Sequence, residues 1–247
     1  MLFPVYITYA RNGTKAVPYL FCLVINMTLK YPCLVLDHDD TVVASEISVN
    51  YPCFLEGLKK FRPGEYMDHP EFVRWCFHHE FADFLRIRYN FTTEETAEEY
   101  EMWKDYAKTH IPPVCEGIRE IILEQKRRGG LVCVASLSSR ETIERDYDLH
   151  IGIRPDIIFS GDDPRELRKP GTYPLEKIME TYRLSPADLL VVDDLKTGLQ
   201  MAKAGSIPIA AALWCRQDAP EIIEYMTERC DFAFHTTAEL YGFLFGG

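Results

Sequence analysis

The sequence predicts an α/β protein: a doubly wound, Rossmann-like parallel sheet carrying an inserted all-helical cap. Three observations predict it. Short apolar runs without polar alternation recur along the chain, as in strands buried on both faces. From Pro112 onward these runs alternate with amphipathic helical stretches, the pattern of right-handed β-α-β crossovers. Between Glu46 and His110, by contrast, the periodicity is helical throughout, with no strand pattern.

Taken in order, CLVL (33–36) is a buried first strand that stops abruptly at the polar run DHDD. Three helical segments follow: FLEGLKKF, EFVRWCFHHEFADFLRIRY and TEETAEEYEMWKDYAKTH. Arg62-Pro63-Gly64 and Tyr89-Asn90 punctuate them, and Thr93 is placed to cap the third. Val114, Ile118, Ile121 and Ile122 read as one helical face, closed by Lys126-Arg127-Arg128 and Gly129-Gly130. Next come a strand LVCVAS (131–136), a helix SSRETIERDY, a strand DIIFS (156–160) and a helix PLEKIMETYRL (174–184). A strand DLLVVDD (188–194), a helix LKTGLQMAKAG, a strand IPIAAAL (207–213), a helix APEIIEYMTERC, a short strand FAF and a final helix complete the chain. The domains expected are a core of residues 31–45 and 111–247, a helical cap of 46–110, and an N-terminal extension of 1–30 outside the fold. Ala16 to Asn26 is apolar, but no small-residue cleavage site follows it, and the run is too short to span a bilayer.

With 47% hydrophobic and 26% charged residues over 247 positions, the chain has the balance of a globular protein. A net charge of −11 repels nucleic acid and anionic membranes, so neither is expected as a partner. It also repels anionic small molecules at long range, so an anion site has to be built locally from amides, Lys, Arg or a metal. The eight cysteines are scattered with no CxxC pair. They read as reduced thiols in a cytoplasmic protein.

Ligands of open parallel sheets bind at the carboxyl ends of the strands. There the sequence concentrates its unusual residues: Asp37-His38-Asp39-Asp40-Thr41 after the first strand, Ser136 after the second, Asp193-Asp194 after the fourth. Lys169-Pro170 precedes the helix leading to that fourth strand. Carboxylates gathered this closely repel one another unless a cation neutralises them, and hard oxygen ligands suit Mg²⁺. With phosphate oxygens on such a metal, Asp37 can attack phosphorus, Asp39 can serve as acid and base, and Lys169 and Ser136 can stabilise the transferring group.

LVLDHDDTVV resembles the first motif of the haloacid dehalogenase-like superfamily, and VCVAS resembles its second. LRKPGTYPLEKIMETYRLSPADLLVVDDLKTGLQMAKAG is similar to its third and fourth. The resemblance, to the phosphoglycolate phosphatase and β-phosphoglucomutase-like branch, implies Asp37 as nucleophile, Asp39 as acid/base and Lys169 as stabilising cation. It implies Thr41, Ser136 and Leu137 as substrate-contacting positions, and Mg²⁺ held by Asp37, the Asp39 carbonyl and Asp194, with Asp193 nearby. Residues 46–110 would then be the family's cap. The activity implied is hydrolysis of a small phosphorylated metabolite through an aspartyl-phosphate, by a monomer or homodimer. Two positions depart from the pattern: Asp40 where Gly is usual, and Leu137 where Asn or a small residue is common.

Other readings compete. A phosphosugar mutase would use the same residues, and a phosphometabolite-binding protein without turnover would keep the pocket. A carbon–halogen dehalogenase needs neither Asp39 nor a metal. In the cap, Arg74, His78, His79, Arg86 and Arg88 read as a solvated face, and the acidic run Glu94–Glu101 as surface. Phe72, Trp75, Phe77, Phe81 and Phe84 read as cap core, and His38 as turned away from the two aspartates that flank it.

Overall fold

Six parallel strands in the order β3-β2-β1-β4-β5-β6 form the centre of the molecule, seen in a computed structural model that describes residues 29–216 and 219–246. They are β1 (Cys33–Leu36), β2 (Leu131–Ala135), β3 (Ile157–Phe159), β4 (Leu189–Asp193), β5 (Ile209–Ala212) and β6 (Phe232–Phe234). Each sequence-predicted strand is present: β1 and β6 match their runs, and the other four are shorter by one or two residues at one end or both. Leu36 lies opposite both Val134 and Val192, so β1, β2 and β4 finish level. The residues that follow them therefore share one sheet edge.

Both faces of the sheet are covered, which explains the unbroken apolar runs. Leu34 and Leu36 point into one layer, against α5 (Ile118–Arg127), α6 (Arg140–Asp146) and α10 (Thr237–Phe245). Cys33 and Val35 point into the other, against α7 (Tyr173–Tyr182), α8 (Lys196–Ala204) and α9 (Pro220–Arg229).

Between β1 and α5 the chain inserts four helices: α1 (Tyr51–Phe61), α2 (His69–His78), α3 (Phe81–Tyr89) and α4 (Thr93–Thr109). They enclose an aromatic cluster of their own, built on Phe54, Phe72, Phe84 and Tyr89. Arg74, Arg86 and Arg88 stay on its outside, paired with Glu221, Asp83 and Glu71.

Four local expectations are corrected. The stretch 71–89 is two helices, because His79 and Glu80 are extended. The cap of α4 is Thr92, whose hydroxyl accepts from Glu95 N–H while the Glu95 carboxylate accepts from Thr92 N–H. Val114 precedes α5 in an extended segment bridged to Val43, since Gly117 turns the chain with φ +77° before the helix begins. Glu99, within the acidic run expected at the surface, is buried.

Of the expected N-terminal extension, residues 1–28 lie outside the described residues. Leu29 is buried against the core, and the Lys30 ammonium lies 3.4 Å from the centroid of the Phe243 ring, so packing begins before Tyr31. Cys22 also lies outside the described residues; the other seven cysteines are free thiols. Among the described residues no helix is long and apolar enough to cross a membrane.

Candidate active site

Asp37 follows the last residue of β1 and is buried at the sheet edge. Its N–H donates to Val192 O of β4 at 2.9 Å, continuing the ladder one step and fixing the side chain's direction. The carboxylate is held at both oxygens: His38 N–H donates to Oδ1 at 2.7 Å, and Lys169 Nζ lies 2.8 Å from Oδ2. Lys169 also donates to Asp193 Oδ2 at 2.8 Å. Burial by itself would lower the Lys169 pKa, but the Asp193 and Asp37 carboxylates override it, so the ammonium is held charged. His38 turns away, as expected, into a fully buried pocket where Nε2 lies 3.0 Å from Asp146 Oδ2 and the ring stacks on Tyr147.

Asp39 is half-buried and gripped by two hydroxyls: Ser45 donates to Oδ1 and Ser138 to Oδ2, each at 2.5 Å. Ser136 sits one residue past β2, where its hydroxyl accepts from Ser138 N–H at 3.1 Å. Leu137, between them, is half-buried and lines a cavity over the site. Thr41 is buried with its hydroxyl unpaired among the described residues. The structure thus brings Asp37, Lys169 and Asp193 into direct contact, and the serines beside Asp39.

Asp37, Asp193 and Asp194 each offer a carboxylate oxygen within 4.8 Å of the other two. The Asp39 carboxylate is not in that group. Asp193 is engaged on both sides, by Lys169 and by Leu195 N–H at 2.9 Å. Its fit against α8 depends on Gly198, where an added Cβ would come within 2.1 Å of Asp193 Oδ2. Asp194 Oδ1 is buried with no partner among the described residues. Burial, with Asp37 alongside, pushes the Asp193 pKa upward, and the Lys169 ammonium 2.8 Å away opposes that shift. Burial likewise pushes Asp194 up to about 6 against Arg216. An orphaned carboxylate oxygen beside two more acids fits a hard cation, which would satisfy the oxygen and relieve the repulsion.

Sequence reasoning missed Arg216. It is buried, donates through Nε to Asp194 Oδ2 at 2.7 Å and reaches Asp40 Oδ2 at 3.0 Å. It also pairs with Glu46, which His69 Nε2 approaches at 2.8 Å from the far side. The available signal was its place in the loop after β5, at the same sheet edge as the other site residues. Asp40, the departure from the family pattern, keeps the turn by adopting φ +52°, a left-handed conformation that Asp tolerates better than most residues. The charge it adds goes to Arg216.

Above the site, between the helical insertion and the sheet edge, lies a cavity of about 210 Å³. Asp39 and Ser138 are among its lining residues on the sheet side, Phe72, Cys76, Glu99 and Trp103 on the helical side.

Among the curated proteins, none matches this sequence. Solved structures of the same fold are numerous. One is CbbY from Rhodobacter sphaeroides, a mutant in complex with xylulose-(1,5)bisphosphate, 17% identical with a TM-score of 0.69 over 85% of this chain and 96% of that one. A predicted phosphoglycolate phosphatase from Haemophilus somnus is 14% identical, with a TM-score of 0.70 over 87% of this chain and 98% of that one. A haloacid dehalogenase-like family hydrolase from Streptococcus pneumoniae is 16% identical, with a TM-score of 0.67 over 87% and 98%. At these identities the likeness is one of fold. The sequence itself goes further, because residues 34–212 match the haloacid dehalogenase-like hydrolase family over most of the chain, and the protein belongs to that family.

Proposed function

We propose that the protein is a Mg²⁺-dependent phosphatase that hydrolyses a small phosphomonoester through an aspartyl-phosphate on Asp37. The observation that carries this reading is the Asp37–Lys169–Asp193 contact at the end of the central strand, beside the unpartnered Asp194 oxygen. In this reading Asp37 attacks phosphorus as the bond between phosphorus and the leaving oxygen breaks. The Asp39 carboxyl, fixed by Ser45 and Ser138, gives its proton to that oxygen. The resulting Asp39 carboxylate then takes a proton from water, which attacks the aspartyl-phosphate and restores Asp37 with release of inorganic phosphate. Lys169 balances charge on Asp37 and on the phosphoryl group throughout, and the Thr41 and Ser136 hydroxyls are available to phosphate oxygens. The side chains of Asp37 and Asp194 and the Asp39 carbonyl would hold Mg²⁺, with Asp193 supporting Lys169. When bound, Mg²⁺ supplies positive charge to the phosphate oxygens that this acidic chain otherwise lacks.

The helical insertion, residues 46–110, acts in this reading as a cap that covers the site and selects the leaving group. The bound phosphosugar of the Rhodobacter relative supports a phosphorylated metabolite as the ligand class. The test is release of inorganic phosphate from a panel of phosphomonoesters by purified protein, with Mg²⁺ and with a chelator. Release with Mg²⁺, lost on chelation and lost in Asp37→Asn, is the expected result. Phosphate release that survives Asp37→Asn overturns the reading.

A further inference from the structure

The cavity above Asp39 has a chemistry of its own. Its walls are largely apolar: Phe72 and Cys76 from α2, Phe81 from α3, and Leu137 and Leu195 from the sheet edge. Most of its polar groups are already committed. The Asn50 side-chain Oδ1 accepts from Trp103 Nε1–H at 2.9 Å, and the Tyr100 hydroxyl donates to Asp162 at 2.9 Å. Glu80 reaches Arg165 at 3.3 Å, and His79 lies against the Trp75 ring. Arg216, the single Arg or Lys lining the cavity among the described residues, is shared by Asp40, Glu46 and Asp194.

The Thr197 hydroxyl is without a partner among the described residues, and among the charged groups the exception is Glu99. It is 3% exposed, lines the cavity from α4, and has no hydrogen bond or ion pair among the described residues. Its stem packs over Gly57, where an added Cβ would lie 3.4 Å from Glu99 Cγ. Tyr100 and Trp103, next to it on α4, stack with centroids 5.8 Å apart and planes 12° apart. A carboxyl buried without a partner destabilises the protein that carries it, and a cationic ligand recovers that cost on binding. Aromatic rings beside it add a favourable surface for an ammonium group. An anion at the same place would meet Glu99, and among the described residues the one lining cation, Arg216, is already shared by three acids.

We propose that Glu99 is a specificity-determining residue for an ammonium group, and that the leaving group is an amino alcohol with an apolar or aromatic body. The phosphate of this ester sits at Asp37, the body fills the apolar walls, and the amine meets Glu99 at the far side. Esters carrying a carboxylate or a second phosphate at that end are selected against. This assignment rests on the phosphatase reading for its orientation, but the recognition of the amine does not depend on turnover.

The experiment uses three matched esters on the full chain with Mg²⁺: para-(aminomethyl)benzyl, para-methylbenzyl and para-carboxybenzyl phosphate. The amine is expected to exceed the carboxylate in kcat/KM by at least about tenfold, and the neutral ester to fall between them. In Glu99→Gln the ratio of amine to neutral ester falls to near one. In parallel, calorimetry measures binding of para-(aminomethyl)benzyl alcohol alone, which is expected to weaken at least about tenfold in Glu99→Gln. Equal turnover of the three esters by the wild-type protein overturns the proposal and leaves the phosphatase reading standing. No turnover of any ester, with Glu99-dependent binding of the amino alcohol, does the reverse. An amino alcohol that does not bind, or binds equally to both proteins, overturns the assignment of Glu99.

Discussion

Arg216 donates through Nε to Asp194 Oδ2 at 2.7 Å, so a fixed guanidinium rests on one oxygen of the acid whose other oxygen has no partner among the described residues. The arrangement splits the carboxylate between a permanent cation belonging to the chain and a position open to an exchangeable one. Removing the guanidinium leaves Asp40, Glu46 and Asp194 buried together without their shared partner. Arg216→Met is therefore expected to destabilise the metal-free protein by about 3–5 kcal/mol. Mg²⁺ should raise its melting temperature more than it raises that of the wild type. Equal melting temperatures without metal would show that Arg216 is not what holds these acids together.

Asp37→Asn keeps the shape and the hydrogen bond from His38 N–H but removes the nucleophile. Phosphate release should fall roughly a thousandfold or more, with the melting temperature changed by only a few degrees. A variant free of wild-type contamination that retains a tenth of the activity sinks the assignment.

Asp194→Ala should weaken Mg²⁺ binding more than Asp193→Ala. Asp194 has an oxygen unpartnered among the described residues, whereas both Asp193 oxygens are already bound by Lys169 and Leu195 N–H. Asp193→Ala should instead cost stability, because Lys169 loses one of its two counter-charges. Calorimetric titration of Mg²⁺ and thermal melts on both variants separate these effects, and the reverse order of affinities rejects the ligand assignment.

Burial pushes the Glu99 pKa up from 4.5 to about 7. The folded state therefore holds a proton that the unfolded chain gives up, and stability falls as pH rises through that interval. The penalty is absent below about pH 4.5 and complete above about pH 7, where it amounts to about 3 kcal/mol. Glu99→Gln should melt near the wild-type temperature at pH 5 and several degrees above it at pH 8. A difference that does not change with pH means that Glu99 does not titrate in this window.

The strands, and the residues that make up the candidate site, were legible because their signals are local. An apolar run that stops at DHDD, or at Asp193-Asp194, marks a buried strand and its carboxyl end without any knowledge of partners. Parallel topology then required those ends to meet, and the level finish of β1, β2 and β4 beside Asp37 follows from it. Turn chemistry was less legible. Thr92 and Thr93 are equivalent as caps until the backbone selects one, and nothing in EFVRWCFHHEF marks the break at His79 and Glu80.

What the sequence by itself determined was the fold class and the helical insertion, and it singled out Asp37, Asp39, Lys169, Asp193 and Asp194 as the candidate site. Only the tertiary structure decided what surrounds them. Arg216 and Glu46 are 170 residues apart and look like ordinary surface charges in sequence, yet they share one buried ion cluster with Asp194. Glu99 sits in a run of acids that reads as solvated, and becomes a buried, unpartnered carboxyl through the packing of α4 over α1. Burial and pairing are properties of which surfaces meet, and for a charged side chain no local pattern carries that information.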